Sequence, residues 1–218
     1  VFSYSSVLLM SKGLTLLVSY MVAFSVSNTE FGYFSLAQAL FVTSVALMGF
    51  NSSAAYVRYF YSEGISAIYK ALKRIYLLLF VISVLSGLLL YFVFIDHKYF
   101  VWFALLPVSG FLAAHISSFN AIYRCSNNFS GYAFAELGRP LLVFLSLTAF
   151  LLMEFEFSAV AVYLVVLCSS LLLVVSVSVF HLRSKLFNKS QSSLGEKEVV
   201  LYLFPLVMVQ LMAFLNNV

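Results

Sequence analysis

Charged side chains are scarce in this chain of 218 residues. Asp, Glu, Lys and Arg make up 9% of the sequence, whereas an ordinary soluble domain holds about 25%. A soluble protein of this size needs a polar surface, and so few charges cannot supply one. Intrinsic disorder is excluded as well, because disordered chains are poor in aromatic residues and 18% of this chain is aromatic.

The residue patterns of common catalytic and metal sites are also missing. The two cysteines, Cys125 and Cys168, form no disulfide framework and have no zinc or iron–sulfur spacing. There is no Gly-rich phosphate loop, no metalloprotease motif and no nucleophile elbow. We therefore predict no catalytic residues, no metal, no cofactor and no nucleic-acid partner, and we expect that the protein is not an enzyme.

Long apolar runs are the main feature that the sequence does have. Hydrophobic residues make up 63% of the chain and its mean hydropathy is +1.05. A helix needs about 20 apolar residues to cross a membrane. Seven runs are long enough: 5–27, 33–56, 75–95, 100–122, 130–153, 158–182 and 199–218. They are continuous and do not alternate, which predicts helices and an all-α integral membrane protein built as a polytopic bundle.

Basic residues collect in alternate loops. The loop after the first span holds no Lys or Arg, whereas the loop after the second holds Arg58, Lys70, Lys73 and Arg74. The loops after the fourth and sixth spans are basic too. Because cytoplasmic loops carry the excess of Lys and Arg, we predict a cytoplasmic N-terminus.

The domain organisation follows from a polar stretch near the end of the chain. Residues 1–183 form the predicted six-helix bundle, 184–198 a cytoplasmic linker, and 199–218 a seventh helix. The chain does not begin with Met and stops within an apolar run. We therefore expect a piece of a longer transporter, whose seventh helix opens a second, parallel six-helix half.

Polar residues recur at helical spacing inside three spans, which places them on shared helix faces. In chain order the stripes contain Ser5, Lys12, Thr15 and Ser19; Gln38, Gly49 and Ser52; and Gly110, Ala113, Ser117, Asn120 and Arg124. Lipid penalises polar side chains, so these faces should meet protein or water. Two interpretations stay open: close helix packing through small residues, or the wall of a hydrophilic cavity.

An ionisable pair precedes a proline in the fifth span. Glu136 and Arg139 are three residues apart and are able to pair on a helix, and Pro140 follows directly. A span that started at Pro140 would be too short to cross, so the helix should begin near Ser130 and carry both charges into the bilayer. Such a pair is either a functional site or a structural ion pair at the interface.

The chain resembles a known family of membrane transporters. Residues 13–40, GLTLLVSYMVAFSVSNTEFGYFSLAQAL, resemble the first helical hairpin of polysaccharide and O-antigen flippases. These belong to the multidrug/oligosaccharidyl-lipid/polysaccharide exporter superfamily. Phe31-Gly32 after the outer turn, Gly49 followed by AAYVRYF at 54–60, and E-x-x-R-P at 136–140 are similar to that family's pattern.

The resemblance implies a transporter of twelve to fourteen helices in two six-helix bundles. Its cargo would be a polyprenyl-pyrophosphate-linked oligosaccharide, moved across the bacterial inner membrane by alternating access for surface polysaccharide synthesis. Membrane lipids and a polysaccharide polymerase or glycosyltransferase would be partners. The expected substrate-binding residues are Arg58, Arg124 and Arg139 for the pyrophosphate, Lys12 deeper in the cavity, and Asn120 and Gln38 for the sugar; Glu136 would couple an ion.

Three other functions remain open at this point. A cation-coupled multidrug exporter of the same superfamily would need acidic cavity residues, for which Glu136 is the one candidate in the sequence. A membrane polysaccharide polymerase or acyltransferase would need a large outer loop, whereas the predicted outer loops are very short. A non-catalytic membrane scaffold would need no wet interior.

Overall fold

The computed structural model describes residues 3–95, 99–153, 158–187 and 194–216. This part of the chain is helical and contains no strand. Its helices are α1 (Tyr4–Ser25), α2 (Asn28–Gly49), α3 (Ser52–Val93), α4 (Phe100–Cys125), α5 (Phe129–Leu152), α6 (Ala159–Phe187) and α7 (Glu196–Asn216).

Several of these helices have the length and composition of membrane spans. Five helical segments qualify within the described ranges, and one of them, Asn28–Val93, contains both α2 and α3. The predicted all-α, multi-pass membrane architecture is therefore supported. The seventh predicted span coincides with α7, and its crossing of the membrane stays a prediction.

The connection between α2 and α3 differs from the predicted loop. Residues 57–74 were expected to join the second and third spans, yet they are helical except at Gly64. Helix α2 instead ends earlier, at Gly49, where Phe50 and Asn51 both adopt the left-handed conformation. The segment 57–74 stays helical because its apolar side chains, such as Ile68 and Leu72, are buried while its cations lie on the exposed face.

Residues 52–63 continue in the same direction as α4, and we call this segment the arm. Ser52 Oγ lies 2.8 Å from Ser118 Oγ, and the Tyr61 hydroxyl donates to the carbonyl of Cys125 at 3.2 Å. The chain then turns at Gly64, whose φ of 77° and ψ of 166° are not helical. Only glycine adopts this backbone region readily, since it has no Cβ.

After Gly64 the chain returns antiparallel to α4. The ring of Tyr76 packs against His115, and farther along the helix Tyr91 packs against Phe100. Helix α4 also contacts α2, α5 and α6, so it forms the centre of the bundle. The close approach of α4 to α2 depends on Gly110, where a Cβ would overlap Ser44.

The starts of α2, α4 and α6 meet at one end of the bundle. The hydroxyl of Tyr99 lies 3.0 Å from Glu30 Oε1 and 2.6 Å from Ser158 Oγ, and Ser158 Oγ lies 3.2 Å from Glu30 Oε2. The even-numbered helices therefore run in parallel, as the alternation of spans predicts. Which side of the membrane this end faces stays a prediction.

The predicted linker is shorter than expected at both ends. Helix α6 extends to Phe187 and α7 begins at Glu196, whereas residues 188–193 lie outside the described part of the chain. An ion pair connects the start of α7 to the bundle: Arg74 of α3 lies 3.2 Å from Glu196.

Candidate functional site

A cleft that contains several polar and charged side chains separates α1 from α2. Although they follow each other in the chain, these helices pack mainly on other neighbours: α1 on α5, and α2 on α4. Three adjoining cavities of about 210, 460 and 430 Å³ fill the space between the two pairs. We call these cavities the first, second and third, and together the cleft.

Six of the seven predicted site residues line this cleft. Glu136 borders all three cavities, and Lys12 and Arg139 border the first two. The others are Gln38 in the first cavity, Asn120 in the second and third, and Arg124 in the third. The residues come from four helices, so the fold brings together side chains that are far apart in sequence.

The seventh predicted residue, Arg58, lies outside the cleft. Its side chain is exposed on the arm, and its guanidinium carbon lies 4.4 Å from the ring centroid of Tyr202 in α7. Arg58 is therefore placed against an aromatic ring and is not brought together with the other six.

Glu136 is held by a neighbouring helix. Its Oε2 accepts a hydrogen bond from Asn120 Nδ2 at 2.6 Å, which joins α5 to α4. The other side-chain atom of Asn120, Oδ1, is buried without a hydrogen-bond partner. A hydrogen bond to a charged acceptor is short and strong, so this contact fixes the carboxylate at the junction of the three cavities.

The predicted ion pair between Glu136 and Arg139 is not formed. Neither side chain is within ion-pairing distance of the other in the part of the chain that the structure describes. The carboxylate turns towards Asn120, and the Arg139 guanidinium lies 5.5 Å from the ring centroid of Phe41 in α2. Each side chain instead finds a partner on another helix, Glu136 on α4 and Arg139 on α2.

Pro140 shapes the backbone beside these charges. Helix α5 begins at Phe129, close to the predicted start, and continues through Pro140. Proline has no N–H, so the carbonyl of Glu136, four residues earlier, loses its usual helical donor. Ser11 Oγ of α1 donates to that carbonyl at 3.2 Å. The hydrogen bond ties α1 to α5 along one wall of the cleft.

Lys12 and Arg139, the two cations of the first two cavities, have no carboxylate partner. Lys12 is exposed to the cavities and Arg139 is half-buried. No carboxylate within the described ranges lies in ion-pairing distance of either. The first two cavities thus carry two cations against one carboxylate, and that carboxylate is engaged by Asn120.

The polar stripes divide between the two interpretations. In α4, Gly110 serves close packing against Ser44, whereas Ala113, Ser117 and Asn120 line the second cavity. In α1, Lys12 and Thr15 line the first cavity. In the second stripe, Gly49 of α2 faces Ala114, Ser52 at the start of α3 pairs with Ser118, and Gln38 of α2 donates weakly to Ser19 at 3.4 Å.

Several residues of the cleft were not predicted from the sequence, Ser11 and Tyr163 among them. Ser11 precedes Thr15 and Ser19 by one and two helical turns, so a second stripe along α1 was available to find it. Tyr163 of α6 is buried at the back of the first cavity and packs on Phe34 with ring centroids 4.8 Å apart. No signal marks it, because it is one aromatic residue in an apolar span.

Among the described residues, no group of three or more His, Cys, Asp or Glu side chains is placed to hold a metal ion. The chain matches no protein-family model, no curated protein and no solved structure. The resemblance to polysaccharide flippases therefore stays an expectation from the sequence.

Proposed function

We propose that this protein belongs to a transporter that moves an amphiphile with an anionic head group across a membrane. The cargo in this proposal is a polyprenyl-pyrophosphate-linked oligosaccharide, and the membrane is the bacterial inner membrane. The observation that carries the proposal is the pair of cations, Lys12 and Arg139, which face the same cavities without a carboxylate partner.

The cost of placing charge inside an apolar bundle supports this proposal. A cation at membrane depth is unfavourable unless it is paired or wet. A diphosphate would supply the missing partner, because its oxygens match the planar guanidinium of Arg139 and the ammonium of Lys12. An apolar cargo would leave both cations unpaired, so it fits the cleft less well.

The remaining polar groups suit a sugar. Hydroxyl groups both donate and accept hydrogen bonds. Gln38 makes a long contact to Ser19 at 3.4 Å, and the Asn120 side chain lies beside Glu136. Both side chains border cavities that also hold a cation. In the proposal, they bind the first sugars next to the diphosphate.

Glu136 is proposed as the ion-coupling residue. It borders all three cavities, so an ion or proton bound there would lie within reach of cargo in any of them. The same position favours a second candidate, a cation-coupled exporter of cationic drugs. The excess of cations in the cleft counts against that candidate, because like charges repel.

A strain that lacks the full-length gene tests the proposal. Lipid-linked oligosaccharides are extracted, and their leaflet is determined by accessibility to an enzyme that does not cross the membrane. We expect complete units on the cytoplasmic leaflet, and we expect the wild-type gene to move them outward. The Arg139→Gln and Lys12→Gln variants should fail to do so at equal abundance in the membrane.

The control is Lys73→Ala, which removes an exposed cation of α3 outside the cleft and should keep full activity. Complete units on the outer leaflet of the deletion strain, or incomplete units on either leaflet, would refute the proposal. Drug sensitivity of the deletion strain, with normal lipid distribution, would favour the exporter.

A further inference from the structure

The arm is a helical segment with a break in the backbone at each end. Phe50 and Asn51 precede it with positive φ angles of 42° and 48°, and Gly64 follows it with φ 77°. Left-handed backbone at two successive non-glycine residues is uncommon in folded proteins. Because neither end continues as regular helix, the arm is joined to α2 and to the rest of α3 through two turns.

One face of the arm contacts α7. Arg58 lies 4.4 Å from the ring centroid of Tyr202, inside the range of a cation–π interaction. The ring of Tyr59 meets the same tyrosine edge-on, with centroids 5.9 Å apart. Beside this contact Val199 and Leu203 are buried. Tyr202 is thus held by two neighbouring side chains of the arm.

The next face of the arm belongs to the cleft. Ser53, Ala54 and Val57 line the third cavity, and Tyr202 lines it too, next to Arg124. The third cavity shares Asn120 and Glu136 with the second. The ring that Arg58 contacts is therefore part of the lining of the third cavity, on the side of the arm and α7.

We propose that Arg58 is a positioning residue that holds Tyr202 across the end of the cleft and so limits access to the cavities. Arg58 itself does not touch the cargo. When the contact breaks, the Tyr202 ring is free to leave the third cavity, and the arm is able to adjust at its two turns. The cleft then opens towards the face of the membrane that carries Arg58.

This inference rests on the proposed function only for the identity of the cargo. Access to the cleft is measurable without any cargo, because Ser117 borders the second and third cavities and is exposed to them. A cysteine at that position reports how fast a water-soluble reagent enters. The ion pair Arg74–Glu196 also joins α3 to α7, but it is largely exposed, and such ion pairs contribute little.

The experiment uses the full chain in membrane vesicles, with both native cysteines replaced by serine and Ser117→Cys added. A membrane-impermeant maleimide is applied from the face that carries Arg58. We expect Arg58→Gln and Tyr202→Leu to raise the labelling rate about two- to fivefold, the factor that an exposed cation–π contact supports. Tyr202→Phe keeps the aromatic ring and should retain the wild-type rate.

Two controls separate positioning from loss of structure. Lys73→Ala removes a cation of α3 outside the contact, and the labelling rate should not change. A parallel chain retains only Cys168, which packs in the bundle with its Sγ 3.2 Å from Ser109 Oγ. Its labelling should stay slow in every variant, whereas unfolding would expose it.

Three results would overturn the inference: an unchanged Ser117→Cys rate in Arg58→Gln, a wild-type rate in Tyr202→Leu, or equal acceleration at Cys168. The transport assay is read separately. If Arg58→Gln accelerates labelling while the lipid-linked oligosaccharides are distributed normally without the gene, the positioning role stands and the proposed cargo is wrong. If transport needs Lys12 and Arg139 but the labelling rate never changes, the proposed cargo stands and the positioning role of Arg58 is wrong.

Discussion

Ser11 Oγ lies 3.2 Å from the carbonyl oxygen of Glu136, four residues before Pro140. Pro140 has no N–H to offer that carbonyl, so the serine of a neighbouring helix takes the place of the helical donor. The arrangement lets α5 continue through a proline and keeps the Glu136 and Arg139 side chains on the wall of the cleft. One hydrogen bond between α1 and α5 thus supports both the helix at Pro140 and the wall of the candidate site.

We expect Ser11→Ala to lower the free energy of unfolding by about 1 kcal/mol, since hydrogen bonds between membrane helices contribute about 0.6–1.7 kcal/mol. The loss should be smaller in a Pro140→Ala background, because an alanine N–H is able to serve the Glu136 carbonyl. Unfolding of the purified protein in detergent measures both costs as a double-mutant cycle. Equal costs in the two backgrounds would contradict the explanation.

The Asn120–Glu136 contact gives a second prediction. Asn120→Ala removes the donor from a half-buried carboxylate and should destabilise the protein by about 1.5–3 kcal/mol, the range for hydrogen bonds to charged groups. With Glu136→Gln present, the same change should cost less, because a neutral amide loses less when it is unpaired. Ser117→Ala is the matched control: Ser117 borders the same cavities without a hydrogen bond of its own, and its removal should be neutral.

Close packing of α2 and α4 predicts a cost for any side chain at Gly110. A Cβ there would come within 2.8 Å of the Ser44 backbone, which cannot turn away as a side chain does. Gly110→Ala should therefore destabilise by about 1–3 kcal/mol, as overpacking does. Gly13→Ala has nothing within 4 Å and should be neutral or slightly stabilising in the same unfolding measurement.

Replacing Gly64 should destabilise the protein through backbone strain alone, without a steric clash. A Cβ at this position meets nothing within 4 Å, but the φ of 77° is unfavourable for other residues. Gly64→Ala should destabilise by about 1–3 kcal/mol. Gly32→Ala, a helical position with equally open surroundings, should be neutral. Equal unfolding free energies for the two variants would show that the turn relaxes.

Much of the cleft could be predicted because polar residues are costly in apolar spans. Lys12, Asn120 and Arg139 each stand out against lipid-like neighbours, and helical spacing assigns the first two to a defined face. The stripe in α4 shows the limit of that reasoning. Gly110 and Asn120 share a face of α4, yet they serve different purposes. Gly110 packs against Ser44 of α2, whereas Asn120, farther along α4, contacts Glu136 of α5 and lines the second cavity.

Side-chain contacts between different helices could not be predicted from the spacing of residues in the sequence. Glu136 and Arg139 are at a distance that permits an ion pair, but the structure offers Asn120 and Phe41 instead. The turn at Phe50 and Asn51 was missed for another reason. Gly49, Asn51, Ser52 and Ser53 form a cluster that is typical of a turn, but the apolar run that was taken as the second span continues through it.

Binding of a diphosphate in the cleft is the central claim, and one measurement tests it most directly. The probe is farnesyl pyrophosphate, with farnesol as the control, added to the purified full chain in detergent while its thermal stability is recorded. The account predicts that the pyrophosphate, but not the alcohol, raises the melting temperature of the wild type, since binding to the folded state stabilises it. Arg139→Gln should abolish the shift, and Lys73→Ala should leave it unchanged. An equal shift in Arg139→Gln, or none in the wild type, would contradict the claim.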